Sequence, residues 1–288
     1  MAQDKYTATW VSHSSISDFL KCPQAYFLKN VYKDPKTGHK IQLMTPPLAL
    51  GQAVHNVLES LSAINKTDRF SKPLSVMFES EWQKISGDKG GFLNEKHEHY
   101  YKNRGLAMLN NVYNNPGPLA NLAIKIKQDL PQFWLSEEDN IILCGKIDWL
   151  EYFPDTDTVH IIDFKTGKVK EDPNSLQLPI YHLLVDKCQE RKATRASYWY
   201  LEHNKTCTEK ELPSLEEARL QVLTIARKIK LARQLKKFDC LEGDCAACHD
   251  IKKVVAGEAK FVGYDGFRDV YIIDSGDLED GESQSDIL

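Results

Sequence analysis

The chain has 288 residues, 42% hydrophobic and 27% charged, a globular composition with length for one large domain or a domain carrying an insertion. No apolar run approaches the roughly 18–20 residues of a membrane span, and Met1 to Trp10 shows no basic region followed by an apolar stretch, so no membrane partner is expected and a cytoplasmic, intracellular protein is. The net charge of −4 excludes a strongly basic binder, but six acids and no Lys or Arg lie in the last 15 residues, and without them the rest stands near +2, leaving room for a local basic groove.

Residues 14–32 have a helical pattern: Ser14 or Ser15 is the expected cap, Ile16, Phe19, Leu20 and Phe27 give an apolar face, and Pro23 must kink or restart the helix. A second helix is expected at 48–63, with Leu50, Val54, Leu58 and Leu61 at helical spacing. His55 lies beside that stripe, where a lone histidine is ordinarily structural. Helical patterns at 71–86 and 95–113 make 64–115 a helical insertion. Three β-like runs follow at 122–135, 141–152 and 158–165, with Pro154 to Asp157 a turn between the last two. A helix at 175–188, a strand at 195–202, a helix at 214–237 and a strand near 267–273 complete the expected domain, 1–275. Ser175 as cap would put Pro179 in the first helical turn, where N–H groups lack partners anyway. Residues 276–288 read as an acidic, disordered tail.

Asp163 and Lys165 alternate along the third β-like run and share a face, with Phe164 opposite. A two-residue turn within Pro154–Asp157 makes cross-strand partners sum to 311 and sets Asp148 opposite Asp163, with Cβ atoms about 4.5–5.5 Å apart. Two carboxylates so placed repel unless a cation sits between them. A divalent metal answers that need, and Lys165 adds positive charge two residues on. The bland alternative is two solvated aspartates, one paired with Lys165. The neighbours Ile147, Trp149, Ile161 and Ile162 weigh against it, because charges inside apolar runs need a partner.

Of seven cysteines, Cys240, Cys245 and Cys248 fall within nine residues, spaced C-x4-C-x2-C. In an intracellular chain this reads as a metal site before it reads as disulfides. Cys144, Cys188 and Cys207 read as ordinary thiols. Tyr198, Trp199 and Tyr200 either offer stacking faces for bases or pack a central strand.

Gly145-Lys-Ile-Asp148, Asp163-Phe-Lys165-Thr-Gly167 and Gln177-Leu-Pro-Ile-Tyr181 resemble motifs II, III and QxxxY of RecB-type nucleases in the PD-(D/E)XK superfamily. Gly51-Gln-Ala-Val-His55 resembles their motif I, and the order holds over about 50–203. The resemblance implies an α/β fold with an αβββαβ core, a mixed sheet flanked by helices. It implies Mg²⁺ or Mn²⁺ held by His55, Asp148, Asp163 and the Phe164 carbonyl, with Lys165 catalytic. Hard oxygens suit Mg²⁺ and an imidazole tilts the site toward Mn²⁺. Gln177 and Tyr181, four apart on one helix face, would contact the DNA strand, and Lys168 is a candidate phosphate contact. Lys-Cys22-Pro resembles the upstream cysteine of the iron–sulfur members, AddB and the CRISPR-adaptation nucleases, where one N-terminal and three C-terminal cysteines hold a [4Fe–4S] cluster. Cys22, Cys240, Cys245 and Cys248 are then the implied ligands, joining 14–32 to 238–250. The spacing departs from that pattern in lacking a longer gap before the last cysteine, so Zn²⁺ with Cys22 or His249 stands as the alternative. The implied activity is a metal-dependent deoxyribonuclease, an exonuclease on single strands or DNA ends. A non-catalytic DNA-end binder and a subunit docking a helicase or integrase are the competing readings.

Overall fold

The computed structural model describes residues 4–273; the tail expected at 276–288 lies outside them. A short strand, β1 (Thr9–Val11), leads into α1 (His13–Lys21). The cap is Ser12 rather than Ser14 or Ser15: its Oγ accepts from Ser15 N–H while Ser15 Oγ accepts from Ser12 N–H, a reciprocal pair that satisfies two donors at once. Cys22 is extended, and Pro23 restarts the helix as α2 (Pro23–Tyr26), its missing N–H costing nothing at a first helical position. After β2 (Lys40–Leu43), α3 (Pro46–Ser60) begins on two prolines for the same reason. Next come α4 (Leu74–Gln83) and α5 (Glu95–Asn114), the latter capped by Asn94. Four strands follow: β3 (Gln132–Ser136), β4 (Ile141–Cys144), β5 (Trp149–Phe153) and β6 (Thr158–Lys165). Then come α6 (Gln177–Cys188), β7 (Lys192–Tyr200), β8 (Thr208–Lys210) and α7 (Leu215–Leu235), ahead of α8 (Ala246–Ala256), β9 (Lys260–Tyr264) and β10 (Arg268–Ile272).

The central sheet runs β5-β6-β7-β8, with β6 parallel to β7 and the other pairs antiparallel. Side-chain alternation divides the interior between its faces. Trp149, Ile162, Phe164 and Trp199 pack with the buried stripes of α3, α4 and α5. Leu150, Ile161, Ala196 and Tyr198 pack with α6 and α7 on the other face. This is the expected α/β arrangement, a mixed sheet between helical layers. Tyr198, Trp199 and Tyr200 are buried, so they pack the strand and give no open face to a base. Two smaller sheets, β1-β4-β3 and β2-β10-β9, lie outside the central one.

Three further expectations need correction. Of 122–135, only the last part is strand: Ala123 makes an isolated bridge to Glu151, and β3 starts after Pro131, which has no N–H to give a ladder. The run 141–152 is two strands in two sheets, broken over Gly145–Asp148. A Cβ on Gly145 would stand 3.0 Å from Leu184 Cδ1, so the chain passes α6 closely there and leaves one sheet for the other. The β5–β6 turn uses four residues, Pro154–Asp157, not two, and Asp157 takes φ 50° in it. Its even length preserves parity, so partners still sum to 311, as in Trp149 with Ile162.

Candidate active site

α3 carries His55 beside its buried residues Val54 and Val57, at the sheet end where β5 begins. Asp148 sits just before β5, past the last paired residue. Its Oδ2 accepts from Phe164 N–H at 2.8 Å, replacing the backbone partner a longer β5 would have supplied. Its Oδ1 lies 3.3 Å from His55 Nδ1. Phe164 buries its ring against Trp199 and meets the His55 ring at 6.1 Å, so the residue between Asp163 and Lys165 props both sides of the site.

Asp163 is 2% exposed. Its Oδ1 accepts from Gln177 Nε2 at 2.5 Å. Its Oδ2 is 3.0 Å from Lys165 Nζ, yet no donor is aligned to hydrogen-bond it. The Lys165 ammonium is the cation that offsets this buried oxygen. Lys165 Nζ reaches Glu171 Oε2 at 2.8 Å, donates to Gln177 Oε1 and stands 4.9 Å from the Tyr198 ring centroid. Gln177 also donates to Tyr181 Oη at 3.2 Å, so the i, i+4 pair on α6 acts as one unit. Lys168 is exposed over the Tyr100 ring, apart from this group.

Two acids escaped the sequence reading. Glu59 is four residues after His55 on α3, and the ligand atoms of His55, Glu59 and Asp148 all lie within 4.8 Å of one another. Asp163 is outside that group, held toward Lys165 and Gln177. The signal for Glu59 was the His-x3-Glu spacing on one helix face. Glu171 sits in the loop before α6, where no periodicity marks it.

Burial pulls the His55 imidazole down, but Asp148 against it, with Asp163 and Glu59 beyond, outweighs this and raises it to about 9. Burial and then Asp148 push the Asp163 carboxyl up to about 7, against Lys165 and His55. The His55 shift reports the negative potential of the carboxylates around it, whereas the Asp163 shift reports burial first and the Asp148 charge second. Burial lowers Lys165, yet Asp163 and Glu171 outweigh it and raise the ammonium's pKa, so it stays charged. Burial, followed by the two aspartates, lifts Tyr181 well above the ordinary phenol range. The site opens on two sides: His55 lines a cavity of about 770 Å³, and Asp148 and Glu59 line one of about 280 Å³ with Lys125 and Lys146.

A second cluster lies apart from this site. Cys22 at the α1–α2 junction, Cys240 after α7, and Cys245 and Cys248 at the start of α8 bring their sulfurs within 4.8 Å of one another. Burial opposes ionisation of Cys245, but the Cys248 and Ala247 N–H groups of the helix start outweigh it and lower the thiol to about 7. His249 pairs with Asp244 at 2.6 Å on the exposed side, outside the sulfur group.

The PD-(D/E)XK nuclease superfamily model matches residues 10–250, a span containing every residue of both clusters. No curated protein matches the chain.

Proposed function

The chain belongs to the PD-(D/E)XK nuclease superfamily, whose members use divalent metals, and from that premise we propose a deoxyribonuclease that trims single strands or DNA ends as an exonuclease. The observation that carries this is convergence from separate elements: His55 and Glu59 from α3, Asp148 from the sheet switch, Asp163 and Lys165 from β6, Gln177 from α6. One imidazole and the carboxylates of Glu59 and Asp148, with Asp163 beside them, are a donor set that fits Mg²⁺ or Mn²⁺. Such an ion, when bound, supplies a Lewis acid at the phosphate and makes water more acidic. The Phe164 carbonyl completes the ligand set that the resemblance implies. Lys165 stays cationic between Asp163 and Glu171, which suits it to offset negative charge growing on the attacked phosphate. Gln177 fixes where that ammonium points, and Tyr181 keeps its proton beneath Gln177. Lys168 stands in solvent as a phosphate contact further along the strand.

The test is release of nucleotides from end-labelled single-stranded DNA with Mg²⁺ or Mn²⁺, beside a chelator control and Lys165→Ala. Wild-type release should fall on the order of 10²- to 10³-fold in the variant. A folded, metal-loaded wild type that releases nothing from single strands, flaps or duplex ends would leave the DNA-end binder as the better reading. A helicase or integrase partner and cytoplasmic work belong to the same proposal, and a partner co-purifying with the full chain supports them.

For the four cysteines, the resemblance supports a [4Fe–4S] cluster. One observation favours zinc as a second reading. Cys245 and Cys248 sulfurs are 3.7 Å apart, close to the roughly 3.8 Å edge of a tetrahedron with Zn–S bonds of about 2.3 Å, whereas a cubane spreads its ligands wider. Metal and acid-labile sulfide analysis of anaerobically purified protein separates the two.

A further inference from the structure

The cavity lined by His55 runs beyond the catalytic residues, and nothing in the proposed chemistry uses its far wall. One wall is α3 at Gly51 and Gln52 with Thr166; the other is the β9–β10 hairpin at Val262 to Asp265. At about 770 Å³ it has room for more than a single phosphate group. We propose that this cleft is the track of a single nucleic-acid strand leading to the metal site, with Tyr264 as the platform on which an unpaired base stacks and Lys89 as a phosphate contact.

Four observations support the assignment, which rests on the nuclease reading for what lies at the cleft's end. First, the cleft is continuous with the site, because His55 belongs to both. Second, Tyr264 is 52% exposed and lines the cavity. His39 stacks on its ring at 4.6 Å and 27°, and its Oη donates to Gly266 O at 2.6 Å. The ring is braced on one face and held at its hydroxyl, leaving an aromatic face to the cleft, as a sequence-tolerant stacking platform requires.

Third, the charge suits a polyanion. Lys84 and Lys89 line the cleft; Lys84 pairs with Glu81 at 2.6 Å, while Lys89 is exposed with no ion-pair partner among the described residues. The cleft's acid, Asp265, is a single negative charge, its Oδ1 accepting from Phe267 and Arg268 N–H at 2.8 and 2.7 Å. Fourth, the cleft is tied across: Lys260 of β9 pairs with Asp88 at 2.7 Å, fastening the hairpin to the turn that carries Lys89. A duplex presents paired, stacked bases and cannot use such a platform, so the cleft selects single strands.

The experiment is equilibrium binding of a fluorescent oligothymidylate in chelator, where no cleavage occurs, by the full chain and three variants, with cleavage in Mn²⁺ measured separately. Tyr264→Ala should weaken binding roughly 5- to 100-fold, and Tyr264→Phe, which keeps the ring, should stay within about twofold. Lys89→Ala should lower the slope of log affinity against log salt by about 0.7. Blunt duplex binding should be indifferent to Tyr264→Ala. Unchanged oligothymidylate affinity in Tyr264→Ala overturns the strand track while leaving the nuclease reading intact if the wild type cleaves. Equal losses on single strand and duplex also overturn it. Ring-dependent binding by a protein that cleaves nothing sustains the track and sinks the nuclease reading.

Discussion

Gln177 touches three functional side chains at once, and its amide has no freedom left. Nε2 gives one proton to Asp163 and one to Tyr181, while Oε1 faces the Lys165 ammonium. Gln177→Ala should lower turnover roughly 10- to 100-fold with the fold retained, as loss of an orienting partner does. Tyr181→Phe, which loses one acceptor, should cost less; steady-state rates on single-stranded DNA beside melting curves check both. Glu59→Gln should weaken Mn²⁺ binding by roughly tenfold or more, and calorimetric titration reads it directly. Strand alternation placed Asp163 and Lys165 on one face and hairpin parity brought Asp148 opposite them, whereas His55 and Gln177 were marked only by the resemblance of their motifs, because a lone histidine or glutamine on a helix reads as structural or solvated. Glu59 stayed hidden because an acid on a helix surface reads as solvated. Glu171 stayed hidden because only the loop's path brings it to Lys165.

Among elements, the end of α3 is fastened to β5 by Arg69, a buried cation among carbonyls. Its Nε donates to Leu61 O and Ile64 O, its Nη1 to Leu119 O and Asn121 O, and its guanidinium lies 4.9 Å from the Trp149 ring centroid. Arg69→Met would strand those acceptors, a loss on the order of 3 kcal/mol, visible as a lower Tm. In the central sheet, Ser197, His160 and Glu151 form a hydrogen-bonded chain, 2.8 and 2.9 Å, with the order of a hydrolase triad. All three are buried, so their work is structural. Burial would raise Glu151, but the bonds from His160 and Asn121 outweigh it and leave its pKa lowered. Its stabilisation is therefore present above the ordinary carboxylate pKa of about 4.3 and drains away as pH falls below it. Chemical denaturation across pH 3 to 6 should show that loss in the wild type and less of it in Glu151→Gln. Element by element, β6, α5 and α7 were readable from long periodic runs. The break at Gly145–Asp148 was not, because it depends on Leu184, 39 residues after Gly145. β1 and β2 are too short to show a pattern, and α8 is masked by cysteines that read as ligands.

Across the whole molecule, the cysteine cluster joins the first helices to α8, with the active-site residues in the chain between. Cys22→Ser should empty that centre and raise protease sensitivity around α8, while metal removal from the wild type should lower Tm by about 2–4 °C for each kcal/mol lost; elemental analysis and limited proteolysis report the two effects. A further consequence concerns synthesis. β2 pairs in parallel with β10, register Lys40 with Arg268, so one side of the β2-β10-β9 sheet is made 228 residues before its partner. At roughly 5–20 residues per second, β2 waits on the order of 10–45 s with an open edge. The central strands and α6 emerge earlier and need no later segment to pair. A ribosome stalled before Arg268 should therefore display a nascent chain whose central sheet is protected and whose β2 edge is still adhesive, a natural client for chaperones.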